Sequence, residues 1–228
     1  MALKDISLQI KDNETVGIVG ANGAGKSTLL TMMVGINLPD QGRIIINGLE
    51  ISKENLPQTR KNVGMVFQNP DDQLFMTSVY EDIAFGPRNQ KLNDAEIKNR
   101  VNDALENLSI SHLKDRAPHK LSGGEKRSVA IASVLSMEPL IMLLDEPSSF
   151  LDPCSRRNLI NTLNGLGLIK LVATHDLDLV LEICDRVIVL KNGEVFCDGD
   201  PKIILKDDEL MKSCGLELPL SLSQINEK

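Results

Sequence analysis

The chain contains no tryptophan and only one tyrosine among its 228 residues, and it carries just four cysteines and three histidines. The cysteines, Cys154, Cys184, Cys197 and Cys214, form no CxxC pair, and the histidines lie at unrelated spacings. Zinc sites and disulfide frameworks depend on recurrent spacings of these residues. We therefore expect neither of them, and reduced thiols are the default interpretation of the cysteines.

The sequence also lacks a long apolar run and a positive net charge. No apolar stretch approaches the about 20 residues that span a bilayer, and the first ten residues carry charge early instead of a signal-peptide core. We therefore expect a cytosolic location. The formal net charge of −7 argues against nonspecific nucleic-acid binding, which needs a basic surface, although it leaves room for a local basic groove.

Apolar runs bounded by turn residues predict the strands of an α/β fold. Several runs are apolar at nearly every position, which is typical of parallel strands covered on both faces. Helical patterns over residues 27–35 and 176–184 alternate with them. Asn192-Gly193 between two further apolar runs predicts a hairpin over residues 186–199, and therefore some antiparallel sheet. The predicted strands are residues 15–20, 42–48, 63–67, 140–146 and 170–175.

Residues 69–138 show no convincing strand pattern. Apolar residues between Ile97 and Leu108 recur at helical spacing, and Asn93 with Glu96 could cap that helix. We therefore predict an α/β core formed by residues 1–68 and 139–228, with an inserted helical subdomain of residues 69–138.

The stretch GANGAGKST, residues 20–28, fits the pattern G-x-x-x-x-G-K-[ST] between a predicted strand and a predicted helix. Its glycines allow backbone N–H groups to turn toward phosphate oxygens, and the helix N-terminus adds partial positive charge. Lys26 can then reach the β- and γ-phosphates of a nucleotide, and Ser27 can ligate Mg²⁺. A ligand-free glycine turn before a helix is the alternative, which this context disfavours. The predicted nucleotide-binding residues here are Gly20, Ala21, Asn22, Gly23, Ala24, Gly25, Lys26, Ser27 and Thr28.

Two adjacent carboxylates, Asp145 and Glu146, end the predicted strand LIMLLDE. Carboxylates at the tip of a buried strand are costly unless something uses them. Residues 20–28 are the predicted phosphate-binding loop, or P-loop. Beside it, Asp145 can support the Mg²⁺ shell, and Glu146 can orient or deprotonate an attacking water. Without a P-loop, two solvated acids entering a loop would be the better interpretation.

The stretch LSGGEKR, residues 121–127, opens an apolar helix predicted over residues 129–135. Ser122 and Glu125 form a capping-box pattern. Gly123 and Gly124 each cost about 1 kcal/mol of helix propensity, and what they provide is a helix N-terminus open to an anion. Capping and anion binding are compatible here.

Two polar residues near strand ends have simple structural explanations when they are taken alone. Asp152 precedes Pro153, as an N-cap precedes a first-turn proline. His175 ends the strand KLVATH and could cap the helix that follows.

Taken together, these segments resemble the ATPase subunit of ATP-binding cassette (ABC) transporters over nearly the whole chain, with LSGG as the most discriminating element. The resemblance implies a P-loop NTPase with a RecA-like core of mostly parallel sheet plus antiparallel strands, the helical insert, and a head-to-tail dimer that hydrolyses ATP with Mg²⁺. It implies that Glu146, His175 and Gln68 are catalytic: Glu146 as the base, His175 on the γ-phosphate, and Gln68 reaching toward Mg²⁺ and water. The Mg²⁺ residues would be Ser27, Gln68 and Asp145. The residues acting in trans would be Ser122, Gly123, Gly124, Glu125 and Asp152.

The stretch QNPDDQLF, residues 68–75, followed by VYEDIAFGPRN, is similar to the ATPases of energy-coupling-factor importers, which take up vitamins or transition-metal ions. Residues 145–160 and 173–190 resemble the cobalt and nickel branch more than the vitamin branch. The implied partners are a second ATPase subunit, a transmembrane coupling subunit and a substrate-binding membrane component, at the cytoplasmic face of the membrane. The alternatives are vitamin uptake, a soluble ABC protein acting on DNA or the ribosome, and a nucleotide-binding regulator without turnover.

Within QNPDDQLF, we expect Gln68 to be the hinge between the core and the helical insert. We expect Leu74 and Phe75 to be exposed apolar side chains on the side that meets the membrane partner. Asp71 and Asp72 are either part of that surface or simply a helix-start pair.

Three positions depart from the family pattern. The family usually has an aromatic residue upstream of the P-loop, on which adenine stacks, but the first aromatic residue here is Phe67. Either the sequence starts after that strand, or adenine is held in another way. Ser128 replaces a residue that is often basic, and Phe150 replaces one that is commonly small or polar.

Because base–aromatic stacking is worth roughly 1–3 kcal/mol in related contexts, we expect this chain to bind ATP about ten- to a hundredfold more weakly than its relatives do. Calorimetric titration of the chain, beside a variant extended by an upstream strand with an aromatic residue, measures the difference. An extended variant that binds ATP no more tightly would contradict this expectation.

Overall fold

The computed structural model describes residues 2–223, and it forms a mostly parallel sheet with helices packed on it. The strands are β1 (Thr15–Val19), β2 (Ile45–Ile46), β3 (Leu49–Glu50), β4 (Val63–Val66), β5 (Ile141–Asp145), β6 (Ile169–Ala173), β7 (Arg186–Lys191) and β8 (Glu194–Gly199). The helices are α1 (Lys26–Met33), α2 (Leu56–Asn62), α3 (Val79–Asn89), α4 (Asp94–Asn107), α5 (Gly123–Leu135), α6 (Pro153–Gly165), α7 (Leu177–Ile183), α8 (Pro201–Ile204), α9 (Asp208–Ser213) and α10 (Leu220–Ser223). Short 3-10 turns cover Pro70–Asp72, Ser111–Leu113 and Pro118–Lys120.

The main sheet has the strand order β4-β5-β6-β1-β7-β8. The first five strands in this order are parallel to one another, and β8 pairs antiparallel with β7. The turn between β7 and β8 has positive φ at Asn192 and Gly193, as a tight hairpin turn requires. The predicted α/β fold with added antiparallel sheet is therefore confirmed.

Both faces of the main sheet are covered, which explains its nearly continuous apolar strands. Along β5, Met142 and Leu144 face a cluster that includes apolar residues of α3, α4 and α5. Leu143 faces the opposite cluster, which includes Leu29 and Leu30 of α1. The helices of the insert therefore share one apolar core with a face of the sheet.

Residues 42–48 do not form the strand that their apolar pattern predicts. Only β2 is extended there, and it pairs antiparallel with β3 in a separate two-stranded sheet. The reason is the turn between them, because Asn47 and Gly48 both have positive φ and fold the chain back on itself. Helix α2, which the sequence interpretation omitted, follows this small sheet and has a proline in its first turn.

The described part of residues 69–138 is helical, as its sequence pattern indicates, and contains no strand. The predicted capping box at Asn93 and Glu96 is present at the start of α4. The division of the chain at residues 68/69 and 138/139 stays a prediction. Within residues 2–223, none of the helices combines the length and the apolar character that crossing a membrane requires.

Candidate functional site

Four neighbouring strands end at one edge of the sheet, and each is followed by a predicted site residue. Because β4, β5, β6 and β1 are adjacent and parallel, their carboxyl ends meet, and ligands bind at such edges in α/β sheets. The residues that follow them line a cavity of about 600 Å³. Its lining comprises Ala2, Gly20, Ala21, Asn22, Gly23, Ala24, Gly25, Lys26, Ser27, Thr28, Gln68, Glu146, His175, Gly215 and Leu216.

Lys26 at the start of α1 is a buried ammonium group held by backbone oxygens. Its Nζ donates to the carbonyl of Gly20 at 2.6 Å and to that of Ala21 at 3.3 Å. Desolvation lowers the pKa of Lys26, and the nearby Glu146 and Asp145 carboxylates act in the opposite direction. A buried cation whose hydrogen bonds go to loop carbonyls is well placed for an incoming phosphate, whose negative charge would stabilise it further.

Ser27 and Asp145 form the oxygen-rich part of the site. The Ser27 hydroxyl donates to Oδ1 of Asp145 at 3.1 Å. Burial is the main cause that raises the pKa of Asp145, so a cation beside it would favour the charged carboxylate. Mg²⁺ prefers a hydroxyl and a carboxylate oxygen of this kind, and the residues present therefore fit that ion.

Glu146 is oriented by the end of the neighbouring strand. Its Oε2 accepts from the Thr174 hydroxyl at 3.0 Å and from the His175 backbone N–H at 3.3 Å, and it lies 2.8 Å from Nδ1 of His175. Glu146 is buried and has a φ of 46°, a left-handed conformation that costs a non-glycine residue energy. The arrangement fixes a carboxylate at the cavity wall, as a general base requires.

His175 does not cap the helix that follows it. Asp176 is the N-cap of α7, where its side chain accepts from the Leu179 N–H. The imidazole of His175 is instead mostly exposed and faces Glu146. The capping explanation of His175 is therefore wrong.

The predicted in-trans residues lie elsewhere on this chain. Gly123, from the N-terminus of α5, lines a second cavity of about 420 Å³ together with Asp145 and Phe150. Gln68 lines both cavities. Within one chain, the P-loop and Gly123 therefore line different cavities, which adjoin at Gln68.

The two glycines of LSGG have different surroundings. A Cβ at Gly124 would lie 2.4 Å from the Ser155 hydroxyl oxygen, so this glycine permits α5 to pack against α6. A Cβ at Gly123 would have no atom nearer than the Phe150 carbonyl oxygen at 4.0 Å. Packing therefore explains Gly124, but it leaves Gly123 available for a ligand.

Two further predicted site residues act as helix caps within this chain. Ser122 and Glu125 form the capping box of α5, as their spacing predicts. Asp152 caps α6, and hydrogen bonds from Ser155 are the main cause that lowers the pKa of Asp152. Their roles across a dimer stay predictions.

The loop after β4 only partly matches its sequence interpretation. Leu74 is 7% exposed and packs in the helical core, whereas Phe75 is 62% exposed. The prediction that Leu74 is an exposed partner of Phe75 is therefore wrong, because the loop turns Leu74 inward. Asp71 and Asp72 lie in a 3-10 turn capped by Asn69, and Asp71 pairs with Lys126 at 2.6 Å.

Sequence reasoning missed several residues of the site because their neighbours are remote along the chain. Thr174 could have been suspected, since it is a polar residue at the end of an apolar strand. Ala2, Gly215 and Leu216 gave no sequence signal for lining the P-loop cavity. Among residues 2–223, those that line this cavity include no aromatic residue, and the expected weaker ATP binding stays a prediction.

Ser128 and Phe150, the two residues that depart from the family pattern near the LSGG stretch, have different surroundings. The Ser128 hydroxyl donates to the Gly124 carbonyl at 3.2 Å within α5. Phe150 is 95% exposed with a φ of 62°, and nothing in the structure explains its aromatic side chain.

Comparisons with known proteins agree with this geometry. A family model described as "ABC transporter" matches residues 3–149. A Geobacter sulfurreducens protein, described as a candidate ABC transporter ATP-binding protein, is 50% identical over 97% of this chain and 89% of its own length. The energy-coupling factor transporter ATP-binding protein EcfA of Methanothermobacter thermautotrophicus is 44% identical over 99% of this chain and 74% of its own length.

Solved structures show the same fold. CbiO1 from Clostridium perfringens, part of the ABC transporter complex CbiONQ, superposes with a TM-score of 0.84 at 43% identity, over 98% of this chain and 92% of that chain. The cassette MJ0796, solved as a dimer in a post-hydrolysis state bound to ADP and Pi, gives a TM-score of 0.79 at 28% identity, over 88% of this chain and 90% of that chain.

A P-loop after β1 and two adjacent acids at the end of β5, at the same carboxyl edge of a parallel sheet, define a nucleotide-hydrolysing P-loop protein. The family match and the relatives make the identification more specific. The chain belongs to the ABC transporter family, as an ATP-hydrolysing cassette.

We expect the substitution Glu146→Gln to abolish hydrolysis and to trap an ATP-bound dimer, because the amide keeps the shape of the side chain but accepts no proton. Loss of a general base typically lowers kcat by about 10²–10⁴-fold. Phosphate release measures turnover, and size-exclusion chromatography with ATP measures the dimer. The exposed Glu106→Gln of α4 is the control. Turnover of Glu146→Gln at the wild-type rate would remove Glu146 as the base.

Proposed function

We propose that this chain is the ATP-hydrolysing subunit of an energy-coupling-factor importer for cobalt or nickel ions. The names of the relatives EcfA and CbiO1 support the energy-coupling-factor class. The resemblance of residues 145–160 and 173–190 to the cobalt and nickel branch supports the metal substrate. In this proposal the transported ion passes through membrane components, and the chain lies peripherally on the cytoplasmic face.

The chemistry follows from the P-loop cavity. Backbone N–H groups of residues 20–25 and the Lys26 ammonium would hold the ATP phosphates. Ser27, Asp145 and Gln68 would hold a Mg²⁺ ion, which would neutralise phosphate charge. Glu146 accepts the proton of the attacking water, and the hydrogen bonds from Thr174 and His175 keep its Oε2 in place. His175 also contacts the γ-phosphate.

Two copies of the chain complete the site in a head-to-tail dimer. The observation that carries this step is that Gly123 and the P-loop line different cavities of one chain. A Cβ at Gly123 would also meet no atom of the described residues closer than the Phe150 carbonyl oxygen at 4.0 Å, its own neighbours and helix backbone aside. In the dimer, Ser122, Gly123, Gly124 and Glu125 of the second copy face the ATP of the first, and Asp152 signals between the copies. ATP then joins two surfaces, neither of which neutralises its charge alone.

The two-part organisation belongs to the same proposal. Residues 1–68 and 139–228 form the ATP-binding core, and residues 69–138 form the helical subdomain that presents LSGG. Gln68 lies at the boundary between the two parts and lines both cavities.

A pair of exposed aromatic residues on the helical subdomain is the proposed contact with the membrane coupling subunit. Phe75 and Phe85 are 62% and 39% exposed. Their ring centroids lie 5.1 Å apart in an edge-on arrangement. Exposed aromatic side chains are enriched as anchors in protein interfaces. Phe75 ends the loop that begins at Gln68, and Phe85 lies in α3.

Proteoliposomes that contain this chain with its membrane components should take up radiolabelled cobalt or nickel when ATP is present. The substitution Phe75→Asp should leave nucleotide binding intact but reduce both copurification with the membrane subunit and uptake by about tenfold or more, because a charge replaces an anchor residue. Scintillation counting measures the uptake.

The matched control is Phe196→Asp on β8, an aromatic position that is 47% exposed. Uptake of a labelled vitamin in place of either metal would contradict the proposed substrate. Wild-type assembly of Phe75→Asp would contradict the proposed docking surface.

A further inference from the structure

Arg127 of α5 is a buried arginine whose hydrogen bonds cross from the LSGG helix to the loop that carries Gln68. The side chain is 2% exposed. Its Nη1 donates to the Phe67 carbonyl at 2.7 Å, and its Nη2 donates to the Gln68 carbonyl at 2.6 Å. These are short, charge-assisted hydrogen bonds, which are about twice as strong as neutral ones.

The burial of Arg127 is costly. Desolvation lowers the pKa of Arg127 to about 10, and Asp145 is the charge that opposes this effect. Its Nε is buried without a hydrogen-bond partner among the described residues. An apolar residue of similar volume often stabilises a fold as well as a buried charge does, so stability alone does not account for an arginine here.

A second side chain ties the same loop to the same helix from the opposite direction. Gln73 accepts from the Phe67 N–H at 3.2 Å through Oε1. Its Nε2 donates to the Ala130 carbonyl at 2.8 Å and to the Ser133 hydroxyl at 2.9 Å. The loop of residues 67–73 is therefore connected to α5 near both of its ends.

The position of this connection matters for the two cavities. Gln68 lines the P-loop cavity, and Arg127 lines the second cavity beside Gly123. Arg127 lies only four residues after Gly123, so its hydrogen bonds to the Phe67 and Gln68 carbonyls join the Gln68 backbone to the N-terminal part of α5.

We propose that Arg127 is a positioning residue that fixes Gln68 to the N-terminal turn of α5, so that both move as one unit when nucleotide binds. This inference rests on the proposed function, in which Gln68 contacts one ATP and Gly123 contacts the other. Arg127 itself touches no substrate in this scheme. It fixes the position of Gln68, which acts on the ATP of its own chain, relative to the N-terminus of α5, which acts on the ATP of the other chain.

The test compares Arg127→Met, Arg127→Lys and a matched control, Arg100→Met on α4. The methionine keeps the apolar stem but removes both hydrogen bonds, and the lysine keeps the charge but lacks the two-pronged geometry. Arg100 is partly buried in the same helical subdomain and pairs with Glu138 at 2.8 Å.

For Arg127→Met we expect kcat to fall by about 10- to 100-fold, the size of effect that misplaced catalytic groups produce. The KM for ATP should stay within about twofold, because the P-loop contacts are unchanged. Arg127→Lys should recover part of kcat, and Arg100→Met should hydrolyse ATP like the wild type.

Hydrogen exchange gives a readout that a purely structural role would not move. In the Glu146→Gln background, ATP should protect residues 67–73 and 122–127 together in the otherwise wild-type chain. With Arg127→Met added, residues 67–73 should still respond while the response of residues 122–127 is lost.

A wild-type kcat for Arg127→Met would overturn the inference. The value of kcat must be calculated per folded molecule. If the urea midpoint of that variant fell while this kcat stayed at the wild-type value, the role of Arg127 would be structural and the inference would also be overturned. Failure of the proposed function gives a different result: the Glu146→Gln chain with Arg127 intact would itself show no ATP-dependent dimer.

Discussion

The buried ammonium of Lys26, which donates to the Gly20 and Ala21 carbonyls near the carboxylates of Asp145 and Glu146, is the interaction on which the rest of the structure depends. An ammonium and two carboxylates removed from water are costly unless they neutralise one another or a ligand. Parallel strands make the grouping possible, because the ends of β4, β5, β6 and β1 meet at one edge. The apolar clusters on both faces of the sheet hold these ends together. The charged groups at the ends are thereby kept in fixed positions.

The same constraint underlies the proposal that two chains complete one site. Lys26 supplies positive charge to one side of a bound phosphate chain, while the helix N-terminus at Gly123 opens into another cavity. In the proposed head-to-tail dimer, the Gly123 helix N-terminus of one chain would lie opposite Lys26 of the other. The loop after β4 connects the two, because Gln68 lines both cavities and Arg127 binds its backbone. In this proposal, one short segment links ATP binding, dimer closure and the exposed Phe75.

Local signals in the sequence predicted the parts of the fold that local chemistry determines. The P-loop, the acids ending β5 and the Asn192-Gly193 hairpin were all identified from contiguous residues. The two-stranded sheet at Asn47-Gly48 was missed, although the same turn signal is present there. The inward turn of Leu74 and the partners of Arg127 depend on contacts between elements about 60 residues apart, and no periodicity within one segment reports such contacts. Gly124 shows the same limit, because its packing against α6 is a tertiary contact.

The composite site is tested most directly by mixing two inactive variants, Lys26→Ala and Gly123→Asp. Each variant alone should form only defective sites, since every site in either homodimer lacks one essential half. In a mixed dimer, one site combines the intact P-loop of one chain with the intact LSGG helix of the other. An equimolar mixture should therefore recover roughly a quarter of wild-type hydrolysis, because about half of random dimers are mixed and each has one intact site. A mixture no more active than the separate variants would contradict a site shared between two chains.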